Sequence, residues 1–179
     1  MDERRITIRR ATSRDAALLA ELGARTFRDA FGAQNTESDM AAYLASAFGV
    51  DIQARELADM DSVFLIAHAG DEVAGYAHMR AGVAPACVSG ARPIEIVRFY
   101  SVSEWLGRGV GVALMGACIA EATARGADVV WLSVWQENVR AVAFYSKRGF
   151  SVVGDKDFVV GRDLQRDHVM VLRLVPDAG

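Results

Sequence analysis

Between Leu106 and Gly111 the chain reads Leu-Gly-Arg-Gly-Val-Gly, and it then runs straight into an apolar stretch that ends at Arg125-Gly126. In that stretch Met115, Cys118, Ile119 and Ala122 recur at helical spacing, so the segment predicts a core helix entered through alternating glycines. Glycine allows backbone to approach a ligand closely, and the free amides of a helix start supply a positive end. Gly107, Gly109 and Gly111 therefore form a candidate phosphate cradle, which the Arg108 side chain can strengthen. The stretch lacks the Lys-Ser/Thr ending of a nucleoside-triphosphate loop, and it follows a fourth strand rather than a first. Taken by itself it reads more readily as an ordinary glycine-rich turn, and only its context favours the cradle.

The rest of the pattern places this helix in a mixed α/β chain. Ile6 to Arg9 predicts a first strand, Ala16 to Ala30 a helix, and Thr36 to Met60 a second helix with a break near Phe48 to Asp51. The opening Thr36-Glu37-Ser38-Asp39 suits a helix N-terminus, where backbone donors need acceptors and acidic groups meet the favourable end of the dipole. Val63 to Ala67 and Val73 to Met79 read as strands around a turn at Ala69 to Glu72. A loop bearing Gly and Pro, Arg80 to Arg92, leads to a strand over Ile94 to Val102. Beyond the glycines come a strand at Val129 to Val134, a helix at Val139 to Lys147 closed by Gly149, and strands at Val152 to Lys156 and Val169 to Leu174. The order β-α-α-β-β-β-α-β-α-β-β implies a mixed sheet covered by helices and not a regular Rossmann repeat.

Composition narrows the function classes. With 179 residues and 52% apolar content, the chain can close one substantial core, so residues 1–179 are read as a single domain. A net charge of −3, from 20 basic and 23 acidic residues, supplies no broad cationic field for nucleic acid or anionic lipid. The opening MDERRITIRR is charged, and no apolar run approaches the roughly 18 residues of a membrane span, so a soluble cytoplasmic protein is expected. Cys87 and Cys118 fit neither a disulfide framework nor paired metal knuckles. His68, His78 and His168 lack compact metal-ligand spacing, so no metal is expected and these residues read as structural or solvent-facing. Trp131 and Trp135 read as packing residues rather than a nucleic-acid platform.

Two further segments join the glycines. The strand Ile94-Glu95-Ile96-Val97-Arg98-Phe99-Tyr100-Ser101-Val102 precedes them, and Asn138-Val139-Arg140-Ala141-Val142-Ala143-Phe144-Tyr145-Ser146-Lys147-Arg148-Gly149-Phe150 follows. Together they resemble the Gcn5-related N-acetyltransferase (GNAT) superfamily, in particular the small-amine and polyamine acetyltransferases. The family signature Gln/Arg-x-x-Gly-x-Gly/Ala is met by Leu106-x-x-Gly109-x-Gly111, with Leu106 in place of the usual polar first member. The later segment resembles the family's Asn-x-x-Ala-x-x-Phe-Tyr-x-x-x-Gly-Phe.

The resemblance implies an acyl-coenzyme A N-acyltransferase fold with a central, strongly twisted mixed sheet flanked by helices, and acetyl coenzyme A as cosubstrate. It implies that backbone at Phe99, Tyr100 and Ser101 pairs with the pantetheine arm, and that Gly107, Arg108, Gly109, Val110, Gly111 and Val112 enclose the pyrophosphate. Tyr145 is the candidate general acid, since a phenol beside a departing sulfur can protonate the thiolate; its bland reading is aromatic packing. Asn138, close to two helical turns earlier, reads as a cofactor contact, a helix cap, or both. Glu95 is the candidate base, and regular alternation places it on one face with Val97 and Phe99. Arg98, of opposite parity, reads as solvent-facing or salt-bridging.

The expected acceptor is a small primary amine or polyamine, with Asp29, Glu37, Asp39 and Glu56 as a candidate acidic mouth. An amino acid, an aminoglycoside-like drug or a protein N-terminus stand as alternatives, as does a non-catalytic acyl-coenzyme A sensor. Val169, Val171, Arg173 and Val175 alternate with Met170, Leu172 and Leu174, so both faces of the last strand meet apolar material. With the family resemblance, that pattern suggests a homodimer.

Overall fold

A computed structural model describes residues 5–174. The elements are β1 (Ile6–Arg10), α1 (Ala16–Phe31), α2 (Glu37–Ala47), α3 (Val50–Ala58), β2 (Ser62–Ala69), β3 (Glu72–Ala81), β4 (Pro93–Ser101), α4 (Val110–Ala124), β5 (Val129–Trp135), α5 (Val139–Lys147), β6 (Ser151–Val160) and β7 (Asp163–Arg173). The expected order is reproduced, with two differences. The single broken helix over Thr36 to Met60 is two helices, because Gly49 takes an extended conformation between them. The last two strands also run much longer than expected, as a hairpin closed by Gly161 at φ 60°. Val175, part of the terminal alternation, lies outside the described residues.

All strands join one seven-stranded sheet in the order β1-β2-β3-β4-β5-β7-β6. Each neighbouring pair is antiparallel except β4 and β5. That parallel pairing is brief: Pro93, Ile94 and Glu95 meet Val129, Val130 and Trp131, and no β4–β5 pairing follows. Alternate backbone groups of β4 beyond Glu95 are thus left without a strand partner on that side. Buried backbone donors and acceptors require partners, so the sheet opens a slot suited to an amide-bearing chain.

Helix α4 covers one face of the sheet, with Val110, Leu114, Met115, Cys118 and Ala122 packed against Ala77, Met79, Ile94, Ile96, Val130 and Leu132. Its C-terminal turn is tied down by Glu121, which accepts hydrogen bonds from Arg10 at 2.6 Å and Arg125 at 2.8 Å. On the other face Leu19 and Leu22 of α1 meet Phe64, Ile66 and Tyr76. Burying side chains such as Leu19, Ile66 and Leu114 stabilises the fold by about 1.5–3 kcal/mol each before entropy is counted. A further cluster of Phe27, Met40, Leu44, Phe48 and Val160 joins α1 and α2 to the β6–β7 hairpin. Asp39 reinforces that junction: Thr36 Oγ1 caps α2 by accepting from its amide at 3.1 Å, while its carboxylate accepts from the Arg162 amide at 3.0 Å.

β7 lies between β5 and β6, and Val169 and Met170 are completely buried. The two apolar faces of that strand are therefore satisfied within the chain, which removes the physical ground on which the sequence pattern suggested a dimer through it. No helix among the described residues is long and apolar enough to cross a membrane.

Candidate active site

A cavity of about 820 Å³ occupies the β4–β5 opening. Its walls come from α1, α2, β4, the glycine loop, the start of α4, the end of β5, α5 and the β6–β7 hairpin. Phe99, Tyr100, Ser101, Gly107, Gly109, Gly111, Val112, Asn138, Glu95 and Tyr145 all border it. The site candidates Arg108 and Val110 do not. The Arg108 guanidinium lies over the Trp105 ring, 5.4 Å from its centroid, and the Val110 side chain is fully buried in the core. Val110 can serve a ligand only through its backbone.

The glycine loop has the conformation its sequence suggests. Gly107 and Gly109 adopt left-handed φ values of 75° and 86°, and Gly109 is the N-cap of α4 without any side-chain cap. The helical ladder begins when the Ala113 amide donates to the Gly109 carbonyl at 3.0 Å. The amides of Val110, Gly111 and Val112 precede it, which leaves the helix start rich in free donors. Leu106, half exposed, sits on the cavity wall where the family pattern has a polar residue.

On the α4 side of the opening, Tyr145 packs among Phe99, Phe144 and Phe150, with ring centroids 5.5–6.0 Å away. Burial holds its phenol above the ordinary tyrosine range, with Cys118 a smaller cause, so it stays protonated and able to donate. Beneath it the Cys118 thiol is pushed up to about 12, first by burial and then by Glu121, which leaves it inert as a nucleophile near neutral pH. Asn138 caps α5: its side-chain oxygen accepts from the Ala141 amide at 3.2 Å, while the residue also borders the cavity.

Glu95 is not on the face that regular alternation assigns. The β3–β4 register slips between His78 and Met79, which pair with Arg98 and Ile96, so Val97 is an extra residue in β4. That bulge brings Ile94, Ile96 and Phe99 together against the α4 core. Glu95 projects to the opposite face, where its carboxylate meets Arg80 at 3.2 Å. It borders the cavity across the sheet opening from Tyr145, already engaged with a cation.

Arg98 is salt-bridging and mostly buried, and is not solvent-facing. Its guanidinium donates to both Glu56 oxygens, at 2.6 and 3.0 Å, and to the Ala47 carbonyl at 3.3 Å. Next to it His78 stacks on Phe64 at 4.0 Å, and burial, with Arg98 and Arg80, lowers its pKa to about 2. It is a neutral core imidazole. Among the described residues no group of His, Cys, Asp and Glu is placed to hold a metal ion.

The acidic mouth drawn from sequence is largely dispersed. Glu56 neutralises Arg98, Asp39 caps α2 and holds the hairpin, and of the four carboxylates only Asp29 borders the cavity. Sequence reasoning missed the opposite wall altogether. There Phe27, Phe31, Tyr43, Trp135 and Phe158 form an aromatic surface, with Asp167 of β7 beside it. Asp167 is 5% exposed. No motif marks it; only the pairing of β7 with both β5 and β6 carries it to the cavity.

The Acetyltransferase (GNAT) family model matches residues 24–150. The chain is 33% identical over 161 residues to an uncharacterized N-acetyltransferase of Mycobacterium tuberculosis, spanning 90% of this chain and 99% of that protein. It is 29% identical to an uncharacterized N-acetyltransferase of Lactobacillus delbrueckii subsp. lactis, over 95% of this chain and 98% of that one. Among solved structures, the paia N-acetyltransferase of Thermoplasma acidophilum, in complex with coenzyme A, superposes with a TM-score of 0.75 at 20% identity, covering 94% of this chain and 99% of that one. The yncA putative acetyltransferase of Salmonella typhimurium, bound to acetyl coenzyme A, gives 0.65 at 21% identity, covering 97% and 96%. The chain belongs to the GNAT acetyltransferase family, and its fold is that family's mixed sheet flanked by helices. Its class of activity is N-acetyl transfer.

Proposed function

We propose that this protein transfers the acetyl group of acetyl coenzyme A directly to a small primary amine. The observation that carries the reading is the β4–β5 opening, which combines unpaired strand edge, an uncapped helix start and a protonated phenol in one cavity. A pyrophosphate suits the amides of Gly107 to Val112, with Arg108 as the neighbouring cation; a pantetheine arm suits the free β4 edge at Phe99 to Ser101, with Asn138 across the slot. These fit the donor without any metal chemistry.

The amine nitrogen, once deprotonated, attacks the thioester carbonyl; the C–N bond forms, the C–S bond breaks, and the Tyr145 phenol gives its proton to the leaving sulfur. Glu95 accepts the amine proton through water and relays it to solvent. Backbone amides at Phe99 to Ser101 polarise the carbonyl. The deeply buried, un-ionised Cys118 supports direct transfer over a covalent relay through that residue.

Within small amines, the sequence reading favours polyamines, and the acceptor is best assigned by a mass-resolved acetyl-transfer screen of polyamines, monoamines, amino acids, aminoglycosides, peptide N-termini and lysine peptides. If peptide acceptors exceed every small amine in kcat/KM, the small-amine proposal is wrong. Binding of acetyl coenzyme A without transfer to any acceptor would favour the sensor alternative. For assembly we propose a homodimer along β6, a sheet edge on which Val152, Val153 and Val159 are exposed. A monomeric sedimentation profile at active concentrations would refute it.

A further inference from the structure

Asp167 is a buried carboxylate that the mechanism above does not use. Its Oδ1 is buried and, among the described residues, has no hydrogen-bond partner. A buried acceptor left unsatisfied costs about 1–3 kcal/mol, so folded proteins rarely retain one without a use. The cations around it make their direct contacts with other groups, although Lys156 acts on its charge through space. Lys156, directly opposite on β6, extends over the Trp131 ring at 5.8 Å; His168 is bonded to Asp155 at 2.8 Å; Arg98 is held by Glu56. The cavity's other carboxylates differ from it: Glu95 is paired with Arg80, while Asp29 and Glu137 are exposed at the rim.

What adjoins Asp167 is aromatic. Trp135 is its direct partner on β5, and Phe31 lies 6.3 Å from the Trp135 ring. Phe31, Phe27, Tyr43 and Phe158 continue the wall at ring separations of 4.6, 4.3 and 5.7 Å. Ring faces attract an ammonium and bury an apolar body equally well. A single buried anion beside such a wall suits one positive charge attached to a flat or alkyl group. For the second charge of an extended polyamine the cavity offers only the exposed rim carboxylates Asp29 and Glu137, which add little to binding in water.

We propose that Asp167 holds the ammonium of the acceptor on entry, before the nitrogen gives up its proton and moves to the thioester, and that the acceptor is a monoamine carried on an aromatic or alkyl body. This rests on the acetyl-transfer reading of the cavity and departs from it in choosing monoamines over polyamines. Burial pushes the Asp167 carboxyl up to about 6, opposed by Lys156, the Ser133 hydroxyl and His168, so the group ionises just below neutral pH. Binding of the ammonium then strengthens as pH rises through that region.

The test compares wild type, Asp167→Asn and Asp167→Glu with tyramine, 2-phenylethylamine, n-hexylamine and spermidine as acceptors. Acetyl coenzyme A affinity is followed by calorimetry on the same samples. Wild type should favour the monoamines over spermidine. Asp167→Asn should raise their KM roughly 10- to 100-fold, the loss expected of a hydrogen bond to a charged group, with cofactor affinity unchanged. Asp167→Glu, which keeps the charge, should recover part of that loss and its dependence on pH near 6. Unchanged monoamine KM in Asp167→Asn, or spermidine as the preferred acceptor, overturns the assignment while leaving acetyl transfer intact. Failure of wild type to bind acetyl coenzyme A at all overturns both readings. Should Asp167→Asn fail to fold, direct calorimetric binding of tyramine to wild type above and below pH 6 decides, since pH-independent affinity would also refute the role.

Discussion

Replacing Gly109 by alanine separates what a left-handed glycine does for the fold from what it does for a ligand, because Gly126 supplies a matched control. The two residues have φ of 86° and 72°, and both sit at an end of α4. An L-residue in that conformation costs about 1–2 kcal/mol, whatever space surrounds it. A Cβ at Gly109 would meet Ile6 Cδ1 at 3.6 Å, and one at Gly126 the movable Arg92 guanidinium at 3.4 Å, so neither adds a serious clash. Without ligand, Gly109→Ala and Gly126→Ala should therefore melt lower by a similar amount, roughly 2–8 °C for a chain of this size. With acetyl coenzyme A the two should part. At a hundredfold excess over Kd the cosubstrate stabilises a binding-competent protein by about 2.7 kcal/mol, and Gly126→Ala should retain that shift. Gly109→Ala displaces the loop and puts a methyl group where backbone must approach phosphate, so it should lose about tenfold or more in affinity, about 1.4 kcal/mol. Differential scanning calorimetry and titration calorimetry on the same samples give both numbers. If the two variants bind acetyl coenzyme A equally, the pyrophosphate does not rest on the start of α4.

Tyr145→Phe should lower kcat roughly a hundredfold while leaving acetyl coenzyme A affinity nearly unchanged, because the ring still packs and only the proton is lost; equal turnover at saturating substrates would reject the acid role. Glu56→Gln removes the partner of a mostly buried guanidinium and should cost about 3–5 kcal/mol in urea unfolding; an unchanged midpoint would show that Arg98 finds water instead. In the ligand-free protein the Asp167 carboxyl, raised to about 6, favours its protonated form on folding. That contribution is complete below about pH 4 and is lost as pH rises through about 6, by at most about 3 kcal/mol and less because the cavity admits solvent. Asp167→Asn should accordingly gain on wild type between pH 4 and 7, and parallel stability profiles would refute the shift.

What could be read from the sequence was whatever local chemistry imposes. Gly107 and Gly109 must be glycines because their φ is positive, and Asn138 must be a good cap because α5 begins there, so these positions carry their role in the residue type itself. Thr36 and Asp39 similarly mark a helix start, and the break expected near Phe48 to Asp51 falls at Phe48 and Gly49, between α2 and α3. The β6–β7 hairpin is longer than the sequence pattern indicates because Asp157, Asp163 and Asp167 resemble loop residues, although alternate positions on these strands face water or a cavity.

Glu95 shows the sharper limit, since parity along a strand is only as good as its regularity. One extra residue at Val97 reverses the side-chain alternation for everything after it, and no composition rule marks a bulge whose inserted residue is a valine. The same insertion decides which face each residue beyond it takes. Before the bulge, Ile94 and Ile96 pack beneath α4 and Glu95 faces α1 to α3; after it, Phe99 joins Tyr145 on the α4 side while Arg98 and Tyr100 turn to the other. A regular strand that kept Ile94 and Ile96 in the core would instead direct Arg98 into the apolar packing of α4 and expose Phe99 to the face of α1. Arg98 would then lose Glu56, leaving a buried charge unpaired at a cost of several kcal/mol. The bulge is thus required by the strand's own residues, and from it follow the contact of Phe99 with Tyr145 and the pairing of Arg98 with Glu56 on the opposite face.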